Sequence, residues 1–196
     1  MNTKPIPALL AAGAALTFAT AAFAVDATDV DAVVVADEAQ LTTEEVKAAQ
    51  VAWGESLVAI SATYAEGGID AARSVAEEVL DTAYGFAMGP VLFNPTLTEA
   101  PQSFRTTREG ALAYFIGHDP DFPRDEGFAL GGWTDVEIEN YAIFIQNGIA
   151  KTMGNVHLTN AAGDRVTVYK TWGFVADEAG DLRIVLHHSS LPFASE

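Results

Sequence analysis

From Trp133 to Ser189 apolar and polar residues alternate with period two, and turn signals cut this stretch into four runs. Such alternation marks strands with one buried face. Val136 to Gln146 stops at Asn147-Gly148, a pair that accepts the positive φ angles of a tight hairpin. Ile149 to Thr159 stops near Ala162-Gly163-Asp164, Val166 to Val175 stops at Gly180-Asp181, and the last run spans Leu182 to Ser189. A meander of this kind needs its apolar face covered, and the preceding half of the chain offers helices to do it. Thr42 and Glu45 form a capping box with Leu41 placed as a staple, and Val46, Ala49, Trp53, Leu57, Ile60 and Tyr64 follow at helical spacing as far as Gly67-Gly68. A second helix, capped by Asp70, runs from Ala71 to about Tyr84 with Val75, Val79 and Leu80 inward. Gly85 and Gly89-Pro90 lead into a short strand, Val91-Leu92-Phe93, closed by Asn94-Pro95-Thr96. Thr106 and Glu109 box a third helix whose body is Gly110 to Ile116. The expected fold is α+β: N-terminal helices packed into a curved antiparallel sheet, a cone with a pocket inside.

Residues 1–24 read as a signal peptide. Lys4 is the positive start, Ala8 to Ala22 the apolar run, and Ala22-Phe23-Ala24 the small-x-small cleavage site. The run is too short and too rich in alanine and glycine for a membrane span. Residues 25–41 are an acidic, Ala/Val-rich leader without capping or turn signals, and 42–196 form one domain. The expected location is the bacterial periplasm or the outside, with no membrane partner after cleavage. The chain carries 27 Asp and Glu against 10 Lys and Arg, a net charge of −17. Nucleic acid is thereby excluded as a partner, because phosphate neutralisation supplies most such affinity. With no cysteine, thiolate chemistry and disulfides are absent as well.

The chemistry concentrates at the end of the last strand, Leu182-Arg183-Ile184-Val185-Leu186-His187-His188-Ser189-Ser190. By alternation Val185, His187 and Ser189 share one face, and Ile184, Leu186, His188 and Ser190 the other. Imidazoles and hydroxyls on a covered strand need partners, which a pocket of hydrogen-bonding groups supplies; a strand end emerging into solvent is the alternative. Thr96 follows a rigid Asn-Pro turn, where its hydroxyl either enters a cavity or bonds the local backbone. Tyr114 lies in an apolar helix, so its ring is buried and its hydroxyl seeks a partner, whether as a core or a functional residue. A zinc site could draw on His118, His157 and one of His187 and His188, but the adjacent pair projects to opposite faces and no H-x-H or HExxH spacing occurs. Asp135, Glu137 and Glu139 alternate on one strand face, which is the pattern of a solvated surface rather than of a catalytic carboxylate. No nucleophile elbow supports a Ser-His-Asp reading.

LRIVLHHSSLP, together with VLFNPT (Val91 to Thr96) and FRTTREGALAYF (Phe104 to Phe115), resembles the metal-independent branch of the iota-class carbonic anhydrases. The resemblance runs from about Thr42 to Pro192. It implies a SnoaL-like, nuclear-transport-factor-like cone whose outer sheet face forms a homodimer, and CO2/bicarbonate as substrate with no metal. Thr96, Tyr114 and Ser189 match the family's bicarbonate-contacting hydroxyls, with His187 in the same cluster. Phe93, Asn155 and His188 are further candidates for the pocket. Asn94 departs from the lysine expected in relatives. Members are often labelled phosphoribosyl-AMP cyclohydrolase, which implies a cysteine-rich zinc enzyme and sits badly with a chain lacking cysteine. The alternative is a non-catalytic cone-fold module that binds a small ligand or serves assembly; a cavity lined only by leucine and phenylalanine would favour it.

Overall fold

The computed structural model describes residues 41–193; the expected signal peptide and all of the expected leader except Leu41 lie outside the described residues. Helix α1 (Thr43–Ala83) opens with the capping box read from the sequence: Thr42 Oγ1 accepts from the Glu45 amide, and Glu45 accepts from the Thr42 amide. Inside α1 the backbone breaks at Gly68, whose φ of 73° suits glycine, so two helical segments meet at the predicted Gly67-Gly68 boundary. Val46, Trp53, Leu57 and Ile60 are buried along the first segment, and Ala72, Ala76 and Leu80 along the second. Gln50, not Ala49, occupies the buried position of the first stripe; its amide bonds Asn140 and Thr152. Those bonds satisfy the buried amide and fix the helix against the sheet at one register.

A 3₁₀ turn (Gly85–Ala87) passes into β1 (Leu92–Asn94), and α2 (Arg108–Ile116) follows. Its cap is Thr107, whose Oγ1 accepts from the Gly110 amide, so the expected Thr106–Glu109 box shifts by one residue. β2 (Trp133–Gln146), β3 (Ile149–Asn160), β4 (Arg165–Ala176) and β5 (Leu182–Ser190) form the meander, with Asn147 and Gly148 both at positive φ in the first hairpin. The sheet order is β1-β5-β4-β3-β2. β1 pairs parallel to β5, so the sheet is mixed rather than wholly antiparallel. This pairing sets Phe93 beside His187 and Asn94 beside His188.

Three irregularities interrupt the sheet register, one at Thr134 near the start of β2 and two further in. In β2 the register skips Tyr141, and in β5 it skips Val185 between Ile184 and Leu186. A bulge adds an unpaired residue, raises the local twist and changes which residues face inward on either side of it. The inner face of β4 carries Val168, Lys170, Trp172 and Phe174, all buried. On β5 the buried residues are Ile184, His187 and Ser189. The outer face leaves Tyr141, Phe144, Met153 and Tyr169 exposed.

Candidate active site

The β5 bulge decides what meets at the centre. His187 and Ser189 share the inner face as alternation predicts, but Val185 does not join them; the bulge at Val185 gives its place to Ile184, which is 2% exposed. Trp172 lies directly across the ladder from His187, and Lys170 directly across from Ser189. His188 is exposed on the other side of the strand.

Thr96 is buried beside Ser189, its backbone amide donating to Ser189 Oγ at 3.2 Å. The turn's local bonds come from Thr98, whose Oγ1 donates to the carbonyls of Pro95 and Ser103. Among the described residues the Thr96 hydroxyl makes no hydrogen bond within the turn. Ser189 keeps its own proton to donate. Tyr114, buried on α2, packs edge-on to Phe93 with ring centroids 5.5 Å apart and stacks on Phe128. Burial, with the charges of Tyr84 and Asp125, holds its phenol well above the usual range. Tyr114 is therefore a hydrogen-bond donor at neutral pH and never a phenolate. Phe93 is the hinge of the arrangement, its ring 4.4 Å from the His187 imidazole.

Three residues to which the sequence reading gave no chemistry complete the cluster. Trp53 Nε1 donates to Tyr84 Oη at 2.9 Å, Tyr84 Oη lies 2.8 Å from His187 Nδ1, and His187 Nε2 lies 2.7 Å from Lys170 Nζ. Lys170 is 4% exposed, its Nζ 4.5 Å from the Trp53 ring centre and 5.5 Å from that of Trp172. Burial lowers its pKa from 10.5 to about 7, because the ammonium loses its hydration without gaining a carboxylate. Burial also pushes His187 well below 6.5, with Lys170 and His188 adding in the same direction. His187 is thus a neutral imidazole with both nitrogens engaged.

The other candidates lie elsewhere. Asn155 faces the outer side of the sheet, bonded to Glu139. His157 is on that side too, bonded to Thr167, and His118 caps the Ile116 carbonyl after α2. Among the described residues no group of three or more ligating side chains converges, so His118, His157 and His187 or His188 do not form the zinc site considered above. Asp135, Glu137 and Glu139 are exposed, as the alternation predicts.

Residues 44–191 match the family model of the metal-independent carbonic anhydrases. A relative from Nostoc sp. (strain PCC 7120 / SAG 25.82 / UTEX 2576), described as a metal-independent carbonic anhydrase, is 58% identical over 153 residues, 78% of this chain and 75% of its own length. The crystal structure of a cyanobacterial iota-carbonic anhydrase complexed with bicarbonate superposes with a TM-score of 0.78 at 57% identity, covering 79% of this chain and 94% of that one. A calcium/calmodulin-dependent protein kinase II association domain from Xanthomonas campestris shares the fold alone, at TM-score 0.52 and 20% identity over 80% of this chain and 92% of its own. An inner-face cluster of hydroxyls around a neutral histidine, on a sheet superposing on that of an iota-carbonic anhydrase, agrees with the sequence matches: the chain belongs to the metal-independent carbonic anhydrase family.

Proposed function

We propose that this carbonic anhydrase hydrates CO2 to bicarbonate in a metal-free pocket formed by Thr96, Tyr114 and Ser189, with Phe93 and His187 as its wall. The observation that carries the reading is the hydroxyl pair at the β1 turn and β5: Thr96 and Ser189 are joined through a backbone amide, yet both keep donors to spare. CO2 enters without charge and leaves as an anion, so the site must supply hydrogen bonds that strengthen as negative charge grows on the oxygens. Three neutral donors in a dry site do this without repelling the apolar substrate. They also hold CO2 and water at attack distance, replacing encounter entropy that a metal would otherwise reduce by binding the water. Tyr114 contributes as a donor because its phenol stays protonated.

The structure with bound bicarbonate is that of a relative, and the 57% identity to it supports the same ligand here. Thr96→Ala is expected to weaken bicarbonate binding about tenfold, the worth of one hydrogen bond to a charged group. Titration followed by ¹³C NMR measures it; unaltered affinity would remove Thr96 from the pocket. The exposed Tyr141, Phe144, Met153 and Tyr169 on the outer sheet face support a homodimer, which sedimentation of the mature chain tests. Export with cleavage after Ala24 rests on the leader sequence, and N-terminal sequencing of the exported protein tests it.

A further inference from the structure

Tyr114 is held between two rings, edge-on to Phe93 of β1 and stacked on Phe128, whose centroids lie 5.5 and 5.4 Å from its own. Phe93 and Phe128 belong to segments far apart in sequence, and one buried ion pair ties those segments together. On the β1 side the Arg105 amide donates to the Phe93 carbonyl at 2.8 Å. On the other side Asp125 stands three residues before Phe128, in the loop that leaves α2. Arg105 Nη2 donates to both carboxylate oxygens of Asp125, at 2.8 and 3.0 Å, and the two side chains are 3% and 5% exposed. The Phe122 ring of the same loop has its centre 4.9 Å from the guanidinium carbon. Two glycines let the loop come this close. Tyr114 lies four residues after Gly110 and three before Gly117, the spacing of one helix face. A Cβ on Gly110 would lie 3.2 Å from Arg105 Cδ, and one on Gly117 would lie 2.7 Å from the Asp125 carbonyl oxygen.

Stability does not explain the pair. Two charges lose their hydration there, and Arg105 Nε and Nη1 find no acceptor among the described residues, so apolar side chains of similar volume would hold the loop at least as firmly. What apolar side chains lack is direction. Guanidinium and carboxylate meet in a defined geometry, which fixes the loop at one register on the segment that carries Phe93. We infer that the Arg105–Asp125 pair positions the Tyr114 hydroxyl for the hydration step, a role that rests on the pocket reading above. Both are positioning residues, acting through the two rings that grip Tyr114 rather than on the substrate. A donor to a developing oxyanion is worth most when nothing has to rearrange as the charge appears, so a loosened ring loses rate. The charges of the pair also reach the phenol: burial raises its pKa most, Tyr84 and Asp125 add to the rise, and Arg105 opposes it.

The test replaces both charges at once, because removing one would leave the other buried and unpaired. Stopped-flow hydration and urea unfolding are measured on the wild-type chain, on Arg105→Met with Asp125→Leu, on Tyr114→Phe, and on all three substitutions together. The paired replacement should show a cooperative urea transition and lose about 10- to 100-fold in kcat, the effect of a reacting group displaced by a change remote from the chemistry. In the Tyr114→Phe background the same replacement should change kcat by less than about twofold, because the hydroxyl it displaces is already gone. An equal loss in both backgrounds would overturn the inference and make the pair a brace for the fold. So would a wild-type kcat in the paired replacement. Should the paired replacement fail to fold, Arg105→Lys, which keeps the charge without the planar fork, goes through the same two backgrounds and the same outcomes decide. A wild-type rate in Tyr114→Phe alone, or no hydration by the wild type, would instead sink the pocket reading on which the inference rests.

Discussion

Trp53→Ala is expected to destabilise the fold by about 4–5 kcal/mol, at the upper end of large-to-small core substitutions. The indole is 3% exposed, sits edge-on to Trp172 at 5.5 Å and to His187 at 5.5 Å, and gives Tyr84 its donor. Deleting it opens a void beside three aromatic or heteroaromatic rings, those of Trp172, His187 and Tyr84, whose positions are fixed by strands and helix, so little collapse can fill it. It also strips Lys170 of the ring nearest its amine, at 4.5 Å. Water entering the void would rehydrate the lysine and raise its pKa toward the ordinary lysine range. Denaturant unfolding gives the stability change, and an NMR titration of the lysine side chain gives its shift. Trp53→Phe should recover most of the stability, because it keeps a ring over Lys170 while losing the bond to Tyr84. A loss below about 1 kcal/mol in the alanine variant would mean that the indole does not hold this cluster together.

Ser189→Ala is expected to lower kcat for hydration about 10²–10³-fold, the effect of removing one preorganised donor to a developing oxyanion. Its folding cost should stay near 1–3 kcal/mol, because the buried Thr96 amide loses its acceptor. The separation between a large kinetic effect and a small thermodynamic one distinguishes a group that meets the reaction from one that only packs. Steady-state hydration kinetics beside a urea titration measure both. A variant with unchanged kcat would remove Ser189 from the chemistry and leave it as a bracket for the β1 turn.

The hairpins were legible because their turns are encoded locally: Asn147-Gly148 occupies positive φ at both positions, and Thr42 with Glu45 closes its box within one helical turn. His187 and Ser189 on one face followed from strand parity alone. What parity could not show was the bulge at Val185, which places Ile184 rather than Val185 in the core. The parallel pairing of β1 with β5 was hidden for a related reason: it joins residues some ninety positions apart and has no local signal. Lys170 is the more instructive omission. Its inward parity was visible in Val168, Lys170, Trp172 and Phe174, but a lysine in an apolar alternation is ordinarily an edge or surface residue. Its burial depends on α1 delivering Trp53 across it, which is a tertiary fact. Tyr84 stood at a helix end and looked like a terminus, and only the sheet below it supplies His187 as its partner.

The most direct test of the metal-free hydroxyl pocket is stopped-flow CO2 hydration by the mature chain before and after exhaustive chelation, with metal content measured on the same samples. The account predicts an unchanged rate after chelation. A rate that falls with the metal and returns on adding zinc would contradict it.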